Sequence, residues 1–366
     1  MNINQSYLLK IPSQQLKYQE YKVDYRFKII YSIGIICVIA SHLQGKASIE
    51  LNIQDWFPYR SFHMPLFMFS AGYFYKEKNV MQVCKYINGK YKKLILPINM
   101  YSFFYGLLIS LMKQFRFVNN IRPFTLRNIF LEPLGLSKIL FIRPSWFSST
   151  LFFVEIYNIL KRKAFRMIQI EFNEFIYFII DFFISNISVN LSNKGYNNKN
   201  LYRYILRFMH LNIYYQLGIL FNKHIEIIFK KIKTDFLFIC IFTTKLIFHL
   251  YYLKMPVFQY SRSEYYNFPH FTVFINSFSG IIFYLRISEL IEPLIGKNFY
   301  INIIADNTFS IMVNHNLANF IIKNIFAIII YLISNLLFPI IIQKMINKSK
   351  IIIYRFKTYL LYIFNF

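Results

Sequence analysis

The chain has 366 residues, 56% of them hydrophobic, 20% aromatic and only 16% charged, with a formal net charge of +26. That apolar content, gathered into repeated long runs, exceeds what a soluble domain of this length needs. The positive charge does not indicate nucleic acid, because Lys and Arg fall in short clusters between apolar runs rather than along one face. Clusters at alternate junctions are what membrane topology requires.

Residues 1–26 are polar and read as a cytoplasmic N-terminal segment. The run at 27–43, FKIIYSIGIICVIASHL, follows. About 17 residues at ~1.5 Å rise come close to crossing a ~30 Å hydrocarbon core. Lys22, Arg26 and Lys28 crowd its near end, which is expected to stay in the cytoplasm, and His42 closes its far end. No small-residue cleavage site follows, so this span reads as an uncleaved signal anchor. The second span, SFHMPLFMFSAGYFY from Ser61, carries Pro65 near its start, where a missing N–H is tolerated. Its small residues Ser70, Ala71 and Gly72 predict close packing inside a bundle. The densest basic stretch, from Lys76 to Lys93, is expected to be a cytoplasmic loop.

Further spans are expected at 94–112, from Trp146 to just before Lys161, and at 172–191, 201–221, 236–253, 271–285, 308–322 and 325–342. The predicted fold is therefore all-α: a polytopic integral-membrane bundle of about ten helices over 27–342, with both termini cytoplasmic. The tail at 343–366 is basic and apolar, interrupted by Arg355 and Lys357, and reads as an interfacial helix. The five Lys and Arg residues between Lys113 and Pro144 sit in a loop placed outside, an exception that long loops allow. Cys37, Cys84 and Cys240 have no close pair and no metal-ligand spacing, which excludes a disulfide framework.

Polar residues inside spans must be justified against lipid, where a charge at a helix centre costs about 2.5–3.5 kcal/mol. Glu155, Asp181, Arg207, His210, Lys245, Asn314, His315 and Asn316 stand there. Asp181 is expected to pair with Arg207 or Lys245, and His210 to be a helix–helix contact. His42, His63 and His315 fall in the central or outer half of the membrane on three different helices, where they can line one cavity. A desolvated imidazole stays neutral and accepts a proton, which suits a general base. Zinc is the weaker alternative for three such residues without local spacing, and no metal is expected.

Five segments occur in fixed order: YSIGIICVIASH (31–42), FHMPLFMFSAGYFY (62–75), KKLILP (92–97), PLG from Pro133 with SWFSSTLFFVE (145–155), and DNTFSIMVNH (306–315). Together they resemble the acyltransferase 3 family of integral-membrane O-acyltransferases, over about residues 25–342. The resemblance implies a ten-helix bundle in the cytoplasmic membrane. Such a bundle moves an acyl group, usually acetyl from acetyl-CoA, onto a hydroxyl of a cell-surface polysaccharide or glycolipid. It implies no tightly bound cofactor. His42 matches the family's catalytic histidine, and Pro65, Phe67 and Ser70 match its second-helix pattern, from which Met68 and Ala71 depart. Trp146 and Phe147 match its Trp-Phe pair, and residues from Ser310 to His315 its late motif.

On this basis His42 and His315 are the expected catalytic residues, with Asn314 beside His315 orienting a substrate. His63, Ser70 and Trp146 are expected to contact the acceptor, and Lys28, Lys92 and Lys93 the phosphates of the donor. One departure matters: Tyr31 stands where the family has Arg or Lys, with Lys28 three residues earlier on the same helical face. A transporter or lipid-linked glycan flippase, or a decayed family member, are the alternatives.

Overall fold

A computed structural model describes residues 23–43, 59–76, 82–115, 125, 146–170, 172–196, 200–252 and 268–321. All the regular structure among them is helical. The chain runs α1 (Tyr25–Leu43), α2 (Tyr59–Tyr73), α3 (Val83–Lys90), a π turn (Tyr91–Ile95) and α4 (Leu96–Gln114). It continues through α5 (Trp146–Met167), α6 (Glu174–Asn193), α7 (Asn200–Leu220), a second π turn (Phe221–Ile225) and α8 (Glu226–Lys231). The remaining elements are α9 (Thr234–Tyr252), α10 (His270–Ile295), α11 (Phe299–Asp306) and α12 (Thr308–Ile321). The expected tenth span, the C-terminal tail and the link carrying PLG lie outside the described residues.

Among the described residues, four helical stretches are long and apolar enough to cross a membrane: Val83–Leu111, Glu174–Asn193, Thr234–Tyr252 and His270–Ile295. How these helices distribute polarity shows which solvent they suit. Helix α6 buries Glu174, Asp181, Ser185, Ser188 and Ser192. It exposes Phe175, Ile179, Phe183 and Ile187. A soluble helix does the reverse, and hydrocarbon is the surrounding that rewards this arrangement. In α9 only 17% of the apolar window is buried, against 61% in α10, so α9 is peripheral and α10 central.

Several boundaries differ from expectation. The described later part of the basic stretch after the second span is helical and not a loop: α3 runs through Lys85 and Lys90, and helix continues across the π turn carrying Lys92 and Lys93. Helix α5 continues past Lys161 and Arg162, which are both buried. Helix α2 starts two residues before Ser61, so Pro65 lies beyond the first turn and deprives the Ser61 carbonyl of its intrahelical donor.

Contacts fix the relative directions. Phe27 meets Tyr73 at 4.5 Å between ring centroids and Tyr31 meets Phe67 at 6.0 Å, so α1 and α2 are antiparallel. Tyr101 bonds Ser310 and Tyr105 bonds Asn314, so α4 and α12 run the same way. One end of the bundle is gathered by Arg26, which pairs with Asp24 (2.6 Å), Glu226 (3.0 Å) and Glu289 (2.9 Å). The Tyr73 hydroxyl donates to Glu226 at 2.6 Å, and Arg286 donates to the carbonyls of Phe229 and Ile232. Burial opposes the charge on Glu226, but Lys230, Tyr73 and Arg26 outweigh it and hold the carboxyl below its ordinary range. The start of α1, the ends of α2 and α8, and the later part of α10 therefore share one face of the bundle.

Candidate functional site

Helix α2 brings α1 and α5 together through a run of aromatic rings. Tyr31 stacks on Phe67 with 9° between ring planes. Phe67 packs on Phe147 at 5.8 Å, and Phe147 on Trp146 at 6.0 Å. The Arg207 guanidinium of α7 lies 4.6 Å from the centroid of Trp146. Trp146 is thus built into a stack, where a cation over an indole face contributes about 2 kcal/mol when desolvated. Phe62 to Ser70 is buried without interruption, as its small residues predict for an internal helix.

Beside this stack stands Glu155, only 3% exposed, with Lys90 donating to its Oε1 at 2.6 Å. The other oxygen is buried and makes no well-formed hydrogen bond, and the Tyr86 phenol interacts with the same carboxyl group. Tyr215 interacts with both Glu155 and Tyr86, and the Tyr31 phenol interacts with Ser70 and with the charge of Glu155. A carboxylate, an ammonium and several phenols in one dry site form a set that can exchange protons. Lys90 reaches it because helix continues through the expected loop, and Tyr91 of the π turn packs on Phe152.

Each expected site residue has a place. His63 is buried on α2, and Ser70 is fully buried with its hydroxyl on the Leu66 carbonyl at 2.8 Å. Asn314 accepts from Tyr105 and donates to the Ser310 carbonyl at 2.8 Å, which clasps α12 to α4. Lys28, three residues before the first of the five segments, pairs with Asp306 at the start of the last. Lys92 and Lys93 are exposed on the π turn. His42 lies in the last turn of α1 and His315 within α12, but their side chains are outside the described residues.

The intramembrane charges pair differently from the expectation. Asp181 takes Lys161 at 2.6 Å rather than Arg207 or Lys245, while Lys245 donates to Asn276 at 2.9 Å. Lys161 is well placed because α6 doubles back along α5, which brings the two residues together although 20 positions separate them. A second polar cluster was not evident from the sequence. Ser185 of α6 sits between His270 Nε2 (2.8 Å) and His210 Nδ1 (3.1 Å), all three buried. The available signal was His270 opening an apolar helix directly after Pro269. A hydroxyl bridging two imidazoles can relay a proton between them.

Comparison with protein-family models, with curated proteins and with solved structures finds no match to this chain.

Proposed function

We propose that the protein is a membrane O-acyltransferase that moves an acyl group, acetyl in the simplest case, from a coenzyme A thioester to a hydroxyl of a surface glycan. One observation carries the reading: segments far apart in sequence that resemble one family come together in space. Tyr31 joins Phe67 and Phe67 joins Phe147, while residues flanking the segments, Lys28, Tyr101 and Tyr105, hold Asp306, Ser310 and Asn314 of the last one.

In this reading the Arg26 end of the bundle faces the cytoplasm, ten helices complete the membrane domain, and both termini lie inside. His42, carried outward by α1, removes the proton from the acceptor hydroxyl, with His315 beside Asn314 orienting the partners. The hydroxyl oxygen attacks the thioester carbonyl, the C–S bond breaks, and coenzyme A leaves as a thiolate that must regain one proton. We assign the return of that proton to Glu155, Lys90 and their phenol neighbours, the proton-bearing set beside the ring stack. Arg207 contributes a guanidinium to the ring stack that includes Tyr31, the position at which the family carries a cation.

The test is mass analysis of surface glycan after gene deletion and complementation. Wild-type complementation should restore a shift of one acetyl group, and His42→Ala should insert at normal abundance yet restore none. Retained acetylation in that variant removes His42 from the mechanism. A transporter or flippase, the rival suggested by the buried charges of α5–α7, predicts a change in the amount of glycan with no acetyl-sized shift.

A further inference from the structure

Where the end of α5, the start of α6 and the second π turn converge, the protein forms an open pocket of about 290 Å³. Its lining includes Arg162, Arg166, Lys223 and His224, with Asn173 and Glu174. We propose that this pocket is a phosphate-binding site, taking the phosphate group of an ester ligand. The argument does not depend on the acyltransferase reading.

The charge balance comes first. Three permanent cations face one carboxylate, and that carboxylate is already held. Arg162 grips Glu174 with two bonds of 2.9 and 2.5 Å, Lys223 adds one of 2.6 Å and Gln216 another of 2.9 Å. The acid orders Arg162 and Lys223, and among the described lining residues the formal count remains three permanent cations to one carboxylate. Guanidinium forks beside a lysine match the oxygens of a phosphate.

Backbone geometry adds to this. Asn173 caps α6 by accepting from Phe175 N at 3.3 Å, so the positive end of a 20-residue helix opens at the pocket. The π turn Phe221–Ile225 inserts a wide turn into an otherwise α-helical run, and it is this turn that carries Lys223 and His224 to the rim.

Volume limits the occupant. The pocket equals about ten water volumes and falls just short of the ~300–1,000 Å³ of small-molecule pockets. It suits a phosphate group with the first atoms of its substituent, not a whole nucleotide. Phe172 and Tyr177 complete the lining, so the remainder of the ligand can lie against aromatic rings. Two sources share this chemistry: a lipid headgroup, or the phosphate of a soluble ester such as coenzyme A.

The experiment uses the full chain in phosphatidylcholine nanodiscs and follows thermal unfolding by intrinsic fluorescence at constant ionic strength. Inorganic phosphate and coenzyme A are titrated against chloride, and phosphatidate is added to the nanodisc in a parallel series. At least one of the three probes should stabilise the wild type saturably. Arg166→Gln and Lys223→Gln should each weaken that effect about tenfold, while Lys163→Gln, an exposed neighbour outside the lining, should leave it unchanged. Phosphatidate that blocks the soluble probes identifies a headgroup site; coenzyme A effective in its presence identifies a soluble ligand. The proposal is overturned if no probe stabilises the wild type, or if Arg166→Gln and Lys223→Gln respond as the wild type does. The outcome is independent of the acetylation assay, since a chain without acyl transfer would still bind phosphate here.

Discussion

At the scale of single residues, Glu155 presents the sharpest energetic question, because its buried charge is compensated chiefly by Lys90. Breaking a buried ion pair by removing one partner costs about 3–5 kcal/mol, since the other charge is left in a dry surrounding. The Lys90 side chain keeps 30% of its exposure, so the low end of that range applies. Lys90→Met is therefore expected to cost about 3 kcal/mol. Adding Glu155→Gln should recover much of the loss, because no charge then remains to be compensated. Thermal unfolding of the two single variants and the double variant closes the cycle, and simple additivity would show that the two groups are not coupled. Ser70 and Asn314 behave differently: each donates back to a carbonyl of its own helix, Leu66 and Ser310, and Asn314 also accepts from Tyr105 of α4, so their polar atoms are already engaged.

At the scale of elements, the crossing of α2 and α7 shows how close helices can approach without side chains between them. A Cβ added at Gly72 would lie 1.9 Å from the Tyr215 carbonyl oxygen, and one added at Gly218 would lie 2.0 Å from that of Phe69. Each glycine admits the backbone of the other helix, the small-residue packing that membrane helices favour. Backbone cannot move aside as a side chain can, so Gly218→Ala should force the helices apart at a cost above the ~1–3 kcal/mol of ordinary overpacking. Gly89→Ala is the control. A Cβ at that position would meet nothing within 4 Å, and the residue sits in a helix. This variant should therefore gain about 0.5–1 kcal/mol from reduced backbone freedom. Unfolding midpoints of the two variants on opposite sides of the wild type check the pair.

The same elements show what was legible in the sequence. Apolar runs announce α1, α2, α6, α7 and α9 to within a few residues, because length and hydropathy are local properties. The small-residue patch of α2 announces an internal helix for the same reason. Helix ends are less visible: α5 carries Lys161 and Arg162 inside the bundle because Asp181 and Glu174 of the next helix meet them there. Pairings such as Lys90 with Glu155, or Ser185 with His210 and His270, depend on which helices become neighbours. No spacing within one segment records that choice.

At the scale of the whole molecule, the distribution of polarity decides what surrounds it, and two native cysteines can report on this. Cys84 on α3 and Cys240 on α9 are both exposed at the protein surface. In water the two thiols would react alike with a membrane-impermeant maleimide. In a bilayer they should differ sharply. Cys240 is the seventh residue of α9, about 9 Å along the helix from its start. It shares that helix with exposed Phe236, Ile239, Phe242 and Ile247, a surface suited to acyl chains. Cys84 lies near the start of α3 among exposed Lys85 and Gln82, a surface suited to water. Labelling of vesicles should therefore mark Cys84 with the impermeant reagent from one side only, the cytoplasmic side in the proposed orientation, and mark Cys240 only after detergent is added. Equal labelling of Cys240 in intact vesicles would mean that the apolar face of α9 contacts water. A helix presenting that much hydrocarbon to water would need a protein partner there, and α9 could not be a lipid-facing wall of the bundle.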